Sequence, residues 1–164
     1  MGEDGGDVRG RADRVAGILL THAVRYEALD GRPPQEAGIV DDGLDAFNHD
    51  KAPLDDVAHV TCVARGDGGD VIGGAVGRTW GTCAELLQLW VAPVHRRKGI
   101  GASLVRMFEA HVAAQGCTTC YLTTFSFQAP RLYRAIGYHV AWEVRGFPQG
   151  IVKYEMVRPL PKSP

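Results

Sequence analysis

Val91 to Leu104 reads VAPVHRRKGIGASL. An apolar, strand-like run, Leu86-Leu87-Gln88-Leu89-Trp90-Val91, leads into it. A basic turn punctuated by glycine follows, Arg96-Arg97-Lys98-Gly99-Ile100-Gly101, and a helical pattern leaves it. This order sets unpartnered backbone N–H groups and a cluster of cations at the start of a helix. The first amides of a helix lack acceptors and the dipole is positive there, so such a start binds anions. Glycine lets backbone come close to a bulky anion. The segment therefore reads as a phosphate or pyrophosphate site. It is not a dinucleotide fingerprint, since the third glycine and a downstream acidic ribose partner are absent, and no Walker A sequence occurs. Taken alone, the turn is also compatible with a solvated strand–turn–helix connection.

A second segment decides between these readings. Ser126-Phe127-Gln128-Ala129-Pro130-Arg131-Leu132-Tyr133-Arg134-Ala135-Ile136-Gly137-Tyr138 follows in the C-terminal half. The basic turn resembles the Arg/Gln-x-x-Gly-x-Gly/Ala signature of the GNAT acyltransferases. The second segment resembles the same family's Asn-x-x-Ala-x-x-Leu-Tyr-x-x-x-Gly-Phe/Tyr signature. Order and spacing agree over roughly Ile72 to Tyr154. The Phe-Ser-Phe-Gln-Ala-Pro form of the second signature resembles one branch of that family. Ser126 stands where the signature usually has asparagine, which alters how it would anchor a pantetheine arm.

Composition narrows the class. A chain of 164 residues fits one domain, expected over residues 14–164 behind a mobile tail, 1–13. A hydrophobic content of 45% is ordinary for a soluble globular protein. The net charge of −1 gives no global field for nucleic acid. No apolar run is long enough for a membrane span, and the first residues, MGEDGGDVRGRADR, lack a signal-peptide core. A cytoplasmic location is expected. Cys117-x-x-Cys120 has no second ligand pair at zinc spacing. It sits after Gly116 at a helix exit, so small packing residues and no metal site are expected.

The remaining pattern alternates strands and helices. Val15 to Leu20 reads as a first strand. Asp30-Gly31 and Pro33-Pro34 mark turns. Ile39 to Asn48 has helical spacing and is expected to help wall an acceptor pocket. His59 to Arg65 and Val71 to Thr79 read as strands around the turn Asp67-Gly68-Gly69, and Gly81 to Val91 as the next strand. Gly99 to Gln115 is an amphipathic helix with Ile100, Leu104, Met107, Phe108, His111 and Val112 on one face. Thr118 to Thr124 is β-branched and aromatic. A short helix, Pro130 to Ile136, and two strands, His139 to Glu143 and Val152 to Val157, complete the chain. No internal repeat is present. The class is α/β (α+β), and the family resemblance implies a mixed, mostly antiparallel central sheet, flanked by helices and splayed at its middle strands.

The same resemblance implies chemistry: an N-acetyltransferase, an acyltransferase moving groups other than aminoacyl, with acetyl-CoA as co-substrate. Arg96, Arg97, Lys98, Gly99, Ile100, Gly101 and Ala102 would cradle the pyrophosphate. Charge-assisted hydrogen bonds contribute about 1.5–3 kcal/mol each, so three or four approach the roughly 8 kcal/mol of micromolar binding. Backbone amides near Leu89, Trp90 and Val91 would hold the thioester oxygen, with the Trp90 side chain packing on the sheet. Ser126 and Ala129 would help anchor the cofactor. Tyr133 matches the tyrosine assigned as general acid toward the leaving thiolate. Glu85 is the candidate base, directly or through water, with His49, His59 and Asp45 as lesser candidates. His95, His111 and His139 read as ordinary.

The acceptor is less legible. Asp41-Asp42, Asp45, Asp50 and Asp55-Asp56 make the first part acidic, which suits a small cationic amine such as a metabolite or antibiotic. Scattered carboxylates also describe a solvated surface. A protein lysine or N-terminus is the alternative acceptor. A non-catalytic acetyl-CoA-binding domain and a structural dimer module are readings from other classes. No nucleic acid or membrane partner is expected, and a homodimer is compatible with the sequence.

Overall fold

The computed structural model describes residues 19–21 and 24–161. The expected tail, 1–13, and most of the expected first strand lie outside the described residues. The chain divides into two compact units, residues 1–51 and 52–164.

In the first unit, β1 (Leu19–Thr21) pairs antiparallel with β2 (Val24–Tyr26). Helix α1 (Pro34–Lys51) starts earlier than its apolar spacing predicts. Proline suits a first helical turn, where its missing N–H would have had no partner. Ala37 N–H donates back to Pro33 O at 3.0 Å.

The second unit is built on one six-stranded sheet in the order β3-β4-β5-β6-β8-β7. Its strands are β3 (Ala58–Arg65), β4 (Val71–Trp80), β5 (Cys83–Val91), β6 (Thr119–Phe125), β7 (His139–Val144) and β8 (Lys153–Pro159). Every neighbouring pair is antiparallel except β5 and β6. A parallel pair needs a crossover, and α2 (Ile100–Ala114) supplies it. The short helix α3 (Pro130–Ala135) joins β6 to β7. The expected mixed, mostly antiparallel architecture is the one observed.

The feature that creates a site is the divergence of the parallel pair. β5 and β6 are paired only through Cys83–Leu86 and Thr119–Leu122. Beyond that, β5 runs on to Val91 and β6 to Phe125 without pairing. The break coincides with a β-bulge: Gly77 faces Leu86 and Val76 faces Gln88, leaving Leu87 as the extra residue. Opposite the bulge only glycine fits. A Cβ on Gly77 would lie 2.2 Å from the Glu85 carbonyl oxygen and 2.6 Å from Phe108 Cζ.

Helix α2 packs Leu104, Val105, Phe108 and Val112 on the sheet, against Ala75, Leu86, Leu122 and Met156 of the same core. Each such large apolar side chain contributes about 1.5–3 kcal/mol when fully buried. The face is rotated from the one predicted. Met107 and His111 are exposed, and Val105 and Glu109 are buried in their place. The hydropathy pattern missed Glu109 because its carboxylate is neutralised inside, by Arg158 Nη1 of β8 at 2.8 Å. The helix stops where Gly116 predicts: Gly116 N–H donates to Ala113 O and Cys117 N–H to Val112 O, both at 3.0 Å. Cys117 and Cys120 are buried free thiols, and Tyr138 O–H donates to Cys120 Sγ at 3.1 Å. Among the described residues, no helix is long and apolar enough to cross a membrane, and no group of His, Cys, Asp or Glu is placed to hold a metal.

Candidate active site

The diverging strands enclose a cleft of about 720 Å³. β5 supplies one bank through Leu86–Val91, and Thr123 and Thr124 of β6 begin the other. The start of α2 lies at one end, and Phe127, Gln128, Ala129, Leu132 and Tyr133 complete the wall. The two signatures, apart in sequence, meet here because β5 and β6 are spatial neighbours.

The basic turn has the backbone that an anion requires. Ser103 N–H donates to Gly99 O at 3.0 Å, so the amides of Ile100, Gly101 and Ala102 precede the first helical hydrogen bond. Among the described residues, no backbone carbonyl accepts from Arg97, Lys98 or Gly99. Gly99 has φ +82° and Arg97 φ +63°, a left-handed conformation that side-chain-bearing residues rarely adopt. Arg96 Nε donates to Val91 O at 2.9 Å, tying the turn to the end of β5. Free amides and a left-handed turn at a helix start are the features that favour an anion.

The pleat decides which β5 amides face the cleft. Ala92 N–H donates to Ile72 O at 2.8 Å, on the β4 side. Amides alternate sides along a strand. Those of Leu89 and Val91 therefore turn to the open side, and that of Trp90 turns to its β4 partner Gly74. The Trp90 side chain, expected to pack on the sheet, is 51% exposed on the face away from α2.

Tyr133 lies in α3, buried and lining the cleft, with its ring edge-on to Tyr138 at 5.8 Å between centroids. Burial pushes its phenol up to about 12. Ala129 precedes α3 and accepts from Leu132 N–H at 3.0 Å. Ser126 is committed elsewhere: its Oγ accepts from Val152 N–H at 3.1 Å, and it does not line this cleft. Gln128 closes the turn instead, its Oε1 accepting from Thr124 O–H at 3.1 Å and Phe125 N–H at 2.8 Å.

Glu85 and Lys98 also lie outside the cleft lining. Glu85 precedes the bulge, on the face away from α2, where Arg78 donates to its Oε2 from Nε at 2.8 Å and Nη2 at 2.7 Å. Tyr121 stands beside it on β6, its phenol pushed up first by burial and then by the Glu85 charge. His95, read as ordinary, borders the cleft. Gln88, Thr124 and Leu132 also line the cleft. Only Leu132 carried a signal, as the leucine of the second signature.

The model of the Acetyltransferase (GNAT) family matches residues 24–138. The chain is 32% identical over 109 residues to a blasticidin-S acetyltransferase of Streptomyces morookaense, covering 66% of this chain and 78% of the relative. Among solved structures, an acetyltransferase from Bacillus cereus superposes with a TM-score of 0.69 at 24% identity, covering 81% of this chain and 97% of that one. A nourseothricin acetyltransferase superposes with a TM-score of 0.56 at 26% identity, covering 63% and 66%.

Proposed function

The chain belongs to the GNAT family of acetyltransferases, and we propose that it acetylates a primary amine of a small cationic molecule, using acetyl-CoA in a ternary complex. The observation that carries this reading is the cleft between β5 and β6, with the amide-rich start of α2 at one end. Two similar proteins named for the antibiotics blasticidin-S and nourseothricin support a small-molecule acceptor.

Bound acetyl-CoA would supply an acetyl thioester and a thiolate leaving group. The amides of Arg97 to Ala102 hold its pyrophosphate, with side-chain charge from Arg96, Arg97 and Lys98 adding less because solvated cations are screened. The amides of Leu89 and Val91 stabilise the oxygen that gains charge. Trp90 contributes side-chain surface at the rim rather than its amide. Ala129 lines the α3 end of the cleft, and Ser126 fastens that end to the residue preceding β8.

Tyr133 donates a hydrogen bond to the departing sulfur. Handing over its proton outright, from a phenol at about 12 to a thiolate of ordinary pKa about 8.5, is uphill by about 5 kcal/mol. The hydrogen bond stabilises the thiolate without that transfer. The acceptor amine presents the larger cost. An alkylammonium of pKa about 10.4 is neutral in about one molecule in 2,500 at pH 7, a cost of about 4.6 kcal/mol. Glu85, offset from the cleft and held by Arg78, serves as a relay through water rather than by direct contact.

The test is release of coenzyme A from acetyl-CoA against a panel of amines containing blasticidin S, nourseothricin, polyamines and a lysine peptide. Release with a small cationic amine supports the reading. Release only with the peptide moves the acceptor to protein, and failure to bind acetyl-CoA overturns the cradle.

A further inference from the structure

α2 and α3 bury their apolar residues in one core on one face of the sheet, so an acceptor approaches the cleft from the other face. The strand register fixes what it meets there. Thr123 lines the cleft and is exposed, while its neighbours Leu122 and Thr124 are buried. Thr123 is paired with Glu155, and Glu155 with Trp142. Directly paired antiparallel residues carry their side chains on the same face, with Cβ atoms about 4.5–5.5 Å apart. Thr123, Glu155 and Trp142 therefore form a row running outward from the cleft wall.

The charges along this face are unequal. Arg78 holds Glu85, whereas Glu155 has no ion pair among the described residues. Lys153 lies two residues away on the same side of β8 and is also without an ion pair among the described residues. Trp142 is 64% exposed and presents an indole beside the free carboxylate.

We propose that Glu155, backed by Trp142, is a specificity-determining site for a second cationic group of the acceptor. A carboxylate at the reacting centre would hold the nucleophile as an ammonium. One strand away, about 4.8 Å from the cleft wall, it holds a different charge of the same molecule and leaves the reacting amine free to lose its proton. An exposed indole adds attraction for that cation. The substrate class is an amine carrying another fixed positive charge a short spacer away. This rests on the reading of the acceptor as a small cationic amine.

The experiment is acetylation kinetics with spermidine and propylamine, with a fluorescence titration by spermidine alongside. Glu155→Gln is expected to raise KM for spermidine about tenfold, with kcat and the KM for propylamine within about twofold. Lys153→Gln should lower KM for spermidine by removing a repulsive neighbour. An unchanged spermidine KM in Glu155→Gln, or equal changes for both amines, overturns the proposal. If neither amine is acetylated, the acceptor reading loses support and the titration still decides this site. Saturable tryptophan quenching that disappears in Glu155→Gln and in Trp142→Phe upholds it, and quenching absent from the wild type or unaltered in Glu155→Gln sinks it.

Discussion

Tyr133 is buried where it lines the cleft, and its phenol at about 12 keeps its proton throughout the ordinary assay range. Tyr133→Phe is therefore expected to lower kcat about 10- to 100-fold and to leave every limb of the pH–rate profile below pH 10 in place. A limb that vanished with the phenol would instead make Tyr133 a titrating acid. Gly99 offers a second contrast. Its φ of +82° strains any residue with a Cβ, although the space beside it is open. Gly99→Ala should cost about 1 kcal/mol of stability and raise KM for acetyl-CoA more than Lys98→Ala does, because the proposed cradle is made of backbone amides. Thermal melts and acetyl-CoA saturation curves of the two variants check this. Tyr133 and Gly99 were legible by type and spacing. Ser126 was legible only by position. Its hydroxyl is taken by Val152, a residue 26 positions away that no local pattern points to.

At the scale of the element, β5 matters most because it is two strands in one. Up to Leu86 it pairs with β6, and after Leu87 it is released. The device behind the release is Gly77 on the neighbouring strand, with Phe108 of α2 filling the place of the missing side chain. Gly77→Ala must move either the Glu85 carbonyl or the Phe108 ring. It is expected to destabilise by about 3 kcal/mol, a fall in Tm of roughly 6–12 °C for a chain of this size. Calorimetry of the variant checks it, and a melt within about 2 °C of wild type would mean that the bulge needs no glycine. The apolar run Leu86 to Val91 announced a strand and its position before the basic turn. The bulge itself was not legible, because it depends on which residue β4 places opposite. The α2 face shows the same limit. Periodicity located the helix, while the Arg158 partner of Glu109 set its rotation.

Across the whole molecule, the buried acids Cys120, Tyr133 and Tyr138 share one consequence for stability. Each has its pKa raised by burial, Cys120 from 9.0 to about 11. Folding favours the protonated form, so the unfolded chain loses these protons first as pH rises. Stability from Cys120 is full below pH 9 and falls through the window up to about 11, by roughly 1.4 kcal/mol per pH unit while it lasts. Tm should stay level to about pH 8.5 and then drop, with a shallower initial drop in Cys120→Ala, as melts across that range would record. What the sequence determined by itself was local and periodic. It determined the order of strands and helices, the glycine-punctuated helix start, and the pairing of two signatures that specifies the family. Tertiary structure alone decided the splay of β5 from β6, the direction of the Leu89 and Val91 amides, the diversion of Ser126, and the Thr123–Glu155–Trp142 row. These depend on strand register and on partners distant in sequence. Propensity and hydropathy act over a few residues, whereas register is set by how a whole face is buried.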